Sequence, residues 1–169
     1  MHYRNKKTRI ITNYLLIIFF FFLGAANSNA QVDCKKKLDD YNRKSTFPTG
    51  QVDDYGTCLD NLYTYYKGQI TLLQSLNNSI REVDRDLEKN KKNLESANDS
   101  TSKAAFTNLD TQLMLKKDSL ISEIKKIDNN GCKSTLSESY QKIIKYYTSI
   151  EDPKADEWIR KFNTFKESS

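Results

Sequence analysis

The chain has 169 residues, of which 29% are charged and 37% hydrophobic, with 27 Lys and Arg against 22 Asp and Glu. The five glycines are scattered and the three cysteines form no Cys-x-x-Cys pair, which excludes a glycine-rich phosphate loop and a thioredoxin-type redox site. The single histidine is His2, so only one residue could be the histidine of a catalytic triad.

Residues 1–30 have the pattern of a secretory signal peptide. A basic start without acidic residues precedes an apolar run from Leu15 to Leu23, and small residues follow up to Ala30. The apolar run is shorter than the roughly 20 residues that span a bilayer. We expect cleavage after Ala30 and export to the periplasm or the extracellular space, with no membrane span left. An uncleaved membrane anchor is the alternative.

Removal of this leader changes the charge balance. The leader carries four of the 27 basic residues and no acidic residue, which leaves 23 basic against 22 acidic residues. A net charge near zero disfavours nucleic-acid binding, because phosphate neutralisation needs a basic surface. His2 also leaves with the leader, so we expect no enzyme activity, no cofactor and no metal site in residues 31–169.

The segment from Leu62 to Ala97 sets the expected architecture. Every third or fourth residue is mostly apolar, in strict alternation of steps, and this 3.5-residue period is typical of a helix whose seam faces a partner helix. The positions beside the seam are apolar in the first half and polar from Asn77 onward. We therefore expect a multi-helix base around residues 58–75 and a narrow two-helix arm beyond it. The seam residues are Leu62, Tyr66, Gln69, Leu73, Leu76, Ile80, Val83, Leu87, Asn90, Leu94 and Ala97.

A second helix after the polar turn at residues 98–102 can fold back on the first. The antiparallel pairing that best matches apolar residues joins Leu109 to Leu94 and Ile127 to Leu76. It places Lys116 near Leu87 and Asn90 near Leu113. Asn90 is open to two interpretations: a polar residue that fixes the register, or an asparagine tolerated in a thin and wet arm.

The fold class expected is all-α, in one domain over residues 31–169. A hairpin over 57–128, with Thr57 as its N-cap, forms a coiled-coil-like arm on a small helical base made with C-terminal helices over 133–166. Residues 33–44 are expected to form a short helix and 45–56 a loop in which Phe47 plugs the base. Residues 128–131 are expected to stop the second helix, with Gly131 or Asn130 in a left-handed conformation. Thr135 and Glu138 are expected to cap the helix that follows.

The aromatic residues of the base allow two interpretations. They can form a buried core with hydroxyl groups at its rim, or an exposed patch that binds a partner. The candidate partner-binding residues under the second interpretation are Tyr63, Tyr65, Tyr146 and Trp158.

The three cysteines of the exported chain are disulfide candidates, since exported proteins are often oxidised. Their number indicates one disulfide and one remaining thiol that could join two chains. Cys34–Cys58, Cys58–Cys132 and Cys34–Cys132 are all open. Cys58–Cys132 is favoured, because both residues lie just after a glycine at the start of a base helix.

The function expected is that of an exported, non-catalytic protein-binding or scaffold protein that acts through its helical hairpin on an unidentified protein partner. One alternative is a structural envelope protein that associates with itself as a homo-oligomer. Another is an inhibitor or effector that binds through the aromatic base, and a third is a hydrolase with an unfamiliar polar pocket.

Overall fold

The computed structural model describes residues 33–44 and 50–168. Their helices are α1 over 33–42, α2 (Val52–Ser96), α3 (Ser100–Lys125), α4 (Asn129–Ser149) and α5 (Lys154–Glu167). No strand occurs within these two ranges, so the all-α prediction is confirmed. The predicted signal peptide and the predicted plug residue Phe47 lie outside the described residues. Among the helices described, none combines the length and the apolar character that a membrane span requires.

The chain predicted as one domain contains two compact units. The base unit comprises the described residues up to Tyr63 together with those from Ser134 onward. The hairpin unit comprises Thr64 to Lys133. Helices α2 and α4 each contribute residues to both units.

Helix α2 begins five residues earlier than the predicted N-cap Thr57. The Thr57 hydroxyl donates to the Asp53 carbonyl at 2.9 Å, as in a helix interior, so the predicted capping box is wrong. Tyr55 is fully buried, and burial of this side chain favours helix in a stretch predicted as loop. At Gly56 a Cβ atom would lie 3.0 Å from the Trp158 ring, so glycine permits this close approach.

Helices α2 and α3 of the hairpin unit pack antiparallel, as predicted. The Lys117 ammonium lies 2.7 Å from the Asp84 carboxylate, and the Asn90 side chain reaches the Phe106 carbonyl at 2.8 Å. The turn between the helices is capped by Asp99, which accepts from the Ser102 amide at 2.8 Å. A hydrogen bond from the Ser102 side chain is the main cause of the lowered pKa of Asp99, and the Ser102 amide adds to it.

The pairing of α2 with α3 differs from the apolar match by about one helical turn. Asn90 contacts Phe106 and Asp110 instead of Leu113. Lys117, not Lys116, takes the half-buried position beside α2. Leu109, predicted in the seam, is 43% exposed.

The predicted helix stop at residues 128–131 is instead the start of α4. The Gly131 amide donates to the Asp128 carboxylate at 3.0 Å, so Asp128 caps the new helix. Gly131 does not take a left-handed conformation, and that prediction is wrong. Thr135 lies inside α4, where its hydroxyl donates to Asp39, so its predicted capping role is wrong too.

Most residues in the core of the base unit lie at helical spacing in predicted helices, whereas Val52 and Tyr55 come from the stretch predicted as a loop. Side chains from α1, the first turns of α2, α4 and α5 are buried with little or no exposure, which is the pattern of a small helical bundle. They are Leu38, Val52, Tyr55, Leu59, Leu62, Leu136, Tyr140, Ile143, Tyr147, Trp158 and Phe165.

Helix α4 ends in a left-handed residue that is not glycine. Glu151 has φ of 54°, and the Asp152 amide returns to the Tyr147 carbonyl at 3.0 Å, as in a Schellman cap. Glu151→Gly is therefore expected to raise the free energy of unfolding by about 0.5–1 kcal/mol, because glycine adopts this conformation without a Cβ clash. Chemical denaturation measures this free energy of unfolding. Thr148→Gly, inside α4, is the control and should lower the free energy of unfolding by about 0.3 kcal/mol, because threonine is itself a weak helix former. A loss of stability in Glu151→Gly would contradict the prediction.

Candidate protein-binding surfaces

Helix α3 leaves much of its apolar side-chain area exposed. It has 26 residues, all of them described, and none of its side chains is fully buried. Leu109, Met114 and Leu115 are 43%, 55% and 65% exposed, and Leu72 on α2 is 50% exposed. We call these four residues the hairpin surface. Single exposed leucines are ordinary in proteins, but a long helix with no buried side chain is not.

The residues of the hairpin surface do not form one stripe. Met114 and Leu115 are neighbours in α3, so their side chains point about 100° apart. The hairpin unit also carries 12 basic and 10 acidic residues interspersed along it. Charges of both signs therefore surround the exposed apolar side chains.

The seam between α2 and α3 contains a polar layer. Asn90 is 2% exposed, and its amide donates to the Phe106 carbonyl at 2.8 Å, with the Asp110 carboxylate at 3.5 Å. Its carbonyl oxygen is buried and has no hydrogen-bond partner among the described residues. Such a layer contributes less to hydrophobic burial than a leucine layer would.

In the base unit, an aromatic cluster surrounds Tyr140. Its ring stacks on Phe162 and Phe165 with centroids 5.5 and 5.6 Å away, and it meets Trp158 at 6.2 Å and Tyr63 at 6.4 Å. These distances are those of favourable aromatic pairs. The cluster therefore fills the core between α2, α4 and α5.

The Tyr140 hydroxyl is buried in this cluster and has no hydrogen-bond partner among the described residues. Burial raises its pKa, and the nearby Asp60 carboxylate adds to that shift. At the edge of the cluster, Lys161 lies 4.1 Å from the Trp158 ring centroid and 2.9 Å from Asp60.

The four predicted partner-binding residues lie in different surroundings. Trp158 is 7% exposed, and Tyr63 is half-buried with its hydroxyl 3.3 Å from Ser168. Tyr146 is half-buried against Tyr147, with ring centroids 5.3 Å apart. Tyr65 is half-buried in the hairpin unit. The structure brings Tyr63 and Trp158 together around Tyr140, and partner binding through these four residues stays a prediction.

Cys34 and Cys58 lie at disulfide distance, with Cα atoms 4.9 Å apart. The preference for Cys58–Cys132 was wrong. Because α2 begins at Val52, Cys58 lies in its second turn beside α1, where Cys34 reaches it. Cys132 is 2% exposed and is not part of this pair. Its burial disfavours the predicted link between two chains through this thiol.

A polar network that the sequence did not predict holds the second half of α1. The Tyr55 hydroxyl donates to Asn42 at 2.8 Å, and the Asn42 amide donates to the Ser139 hydroxyl at 3.0 Å. Burial raises the pKa of Tyr55. The sequence did not indicate this network, because Tyr55 lies in residues 45–56, which are predicted as a loop, and not in the predicted part of the long helix.

Lys142 completes this network from α4. Its ammonium donates to the carbonyls of Tyr41 and Lys44, the latter at 2.6 Å, and so satisfies the C-terminal end of α1. Burial lowers the pKa of Lys142. These contacts hold the C-terminal end of α1 against α4. Within residues 33–44 and 50–168, no group of three side chains could hold a metal ion.

Comparison with known proteins found no matching family, no matching curated protein and no matching solved structure. The proposed function therefore rests on the exposed side chains of the hairpin surface.

Proposed function

We propose that this chain is an exported, non-catalytic protein that binds another protein through the hairpin surface. The observation that supports it is the packing of α3, a 26-residue helix with no buried side chain and three large apolar side chains exposed. An isolated helix gains most of its stability from packing its apolar face. A partner that covers Met114 and Leu115 would supply packing that the chain itself does not.

The energy available at this surface suits a specific interaction. Full burial of a leucine or methionine side chain contributes roughly 1.5–3 kcal/mol, before the costs of association. The interspersed charges of the hairpin unit would form the polar rim of such an interface.

Export is the second part of the proposal. It is supported by the leader-like pattern of residues 1–30 and by the Cys34–Cys58 pair, since disulfides persist mainly in oxidising compartments.

The double variant Met114→Glu and Leu115→Glu tests the binding surface. The wild-type chain is used to capture binding proteins from the source organism. The double variant should capture at least about ten-fold less of them, which corresponds to a loss of about 1.4 kcal/mol in binding free energy. The thermal midpoint should stay unchanged, because both side chains are more than half exposed and glutamate has a similar helix propensity.

Thr111→Glu with Gln112→Glu is the matched control, because it adds the same charge to exposed polar positions of α3. It should retain the captured protein. Equal capture by the Met114 and Leu115 double variant and by the wild type would refute binding through this surface.

A second copy of the chain would also cover these exposed side chains, as the self-association alternative requires. Light scattering of residues 31–169 distinguishes the two. A monomer up to high concentration supports a different partner, whereas a dimer that Met114→Glu and Leu115→Glu dissociate supports self-association.

A further inference from the structure

Helix α3 can pack against α2 in two rotational orientations, here called settings, each of which places a different set of its residues in the seam between the helices. The described seam follows steps of four then three and consists of Phe106, Asp110, Leu113, Lys117, Leu120, Ile124 and Ile127. Steps of three then four give the alternative seam of Phe106, Leu109, Leu113, Lys116, Leu120, Glu123 and Ile127. The two differ by a rotation of α3 of about 50°, half the angle between neighbouring residues, together with an axial shift of about one helical turn.

Hydrophobic burial does not distinguish these settings well. Each seam contains five apolar and two charged residues, and the change exchanges Ile124 for Leu109. Leucine and isoleucine bury similar apolar area, so the transfer free energies nearly cancel. The apolar match favours the alternative, since it places Leu109 against Leu94.

Polar contacts distinguish them. Asn90 is 2% exposed, and in the described setting its amide has the Phe106 carbonyl at 2.8 Å as acceptor. A rotation of α3 would move this carbonyl and leave the buried donor unsatisfied, which is costly. The Asp84–Lys117 contact at 2.7 Å would also be lost, although both side chains are partly exposed and contribute less.

We propose that Asn90 selects the setting of α3, with support from Asp84, and thereby keeps Leu109 at the surface. Without the Asn90 amide, α3 turns and Leu109 enters the seam while Lys117 leaves it. A single buried asparagine that specifies register at some cost in stability is a known device of coiled coils. The inference concerns the conformation of the hairpin unit and does not depend on the proposed function.

Carbodiimide coupling tests it, because the reagent joins a carboxylate and a lysine ammonium that are in contact. Lys116→Arg leaves Lys117 as the reactive residue, and Lys117→Arg leaves Lys116. With Asn90 present, amide bonds from acidic residues of α2 to Lys117 should form in Lys116→Arg. Amide bonds to Lys116 should be scarce in Lys117→Arg. Mass spectrometry detects both. Circular dichroism checks that each variant keeps its helix content.

Asn90→Leu is then added to each variant. The ratio of coupling through Lys117 to coupling through Lys116 should fall by about five-fold or more, the ratio that one ordinary hydrogen bond sustains. A smaller change would overturn the proposal. Asn90→Ala, which removes the amide without adding bulk to the seam, is the second variant, with the same expected direction, and decides the matter if Asn90→Leu does not fold.

Discussion

Trp158→Ala is expected to lower the free energy of unfolding of the base unit by about 3–5 kcal/mol, the usual cost of removing a buried tryptophan side chain. Trp158 is 7% exposed, its ring centroid lies 6.2 Å from that of Tyr140, and Gly56 allows α2 to approach it closely. The variant leaves a cavity in the core and removes the ring beneath Lys161. Urea denaturation followed by circular dichroism measures the change.

Ile159→Ala is the matched control. Ile159 is the next residue in α5 and is 40% exposed, so its truncation should cost less than about 1.5 kcal/mol. Equal losses in the two variants would show that Trp158 is not a core residue, and would favour the interpretation of Trp158 as an exposed anchor.

Loss of the Cys34–Cys58 bond has the second largest expected effect. The cysteines are 24 residues apart, and a loop of this length gives about 3.5 kcal/mol of stabilisation in the chain-entropy model. Replacement of both cysteines by serine should lower the free energy of unfolding by about this amount. Thermal or urea unfolding with and without a thiol reductant measures it.

The reductant supplies the control for this prediction. It should lower the unfolding midpoint of the wild-type chain to that of the double serine variant, and it should leave the variant unchanged. A wild-type midpoint that does not respond to reduction, in a chain whose thiols react fully, would contradict a stabilising disulfide.

The local features of this fold could be predicted from the sequence, because a 3.5-residue period depends only on neighbours within the same helix. Val83 and Asn90 are 1% and 2% exposed, as their seam positions require. The antiparallel return of α3 also followed from its own apolar period. The start of α2 did not, because it depends on burial of Tyr55 against residues distant in sequence, such as Ser139.

The pairing details of the hairpin could not be predicted, for a related reason. Apolar matching placed Leu109 in the seam, whereas the structure exposes it and pairs Asn90 with Phe106. A side-chain hydrogen bond to a main-chain carbonyl leaves no trace in the pattern of apolar residues. The hairpin surface was missed because its residues were assigned to the seam or not considered.

The cysteine pairing shows the same dependence on tertiary structure. The sequence indicated one disulfide among three cysteines, but the pair depends on where α2 begins and on the position of α1. The Lys142 cap of α1 likewise joins residues about 100 positions apart in sequence, so the local pattern of residues does not predict it.

The measurement that tests the account most directly is the distance between spin labels at Gln74 and Lys125, both exposed in the hairpin unit. Labels on cysteines introduced at these positions, with Cys132→Ala, can be read by pulsed electron resonance. Packed helices lie about 8–10 Å apart, so the antiparallel hairpin predicts a label separation below about 30 Å. A separation above about 50 Å, as expected if residues 74–125 formed one extended helix of about 77 Å, would contradict it.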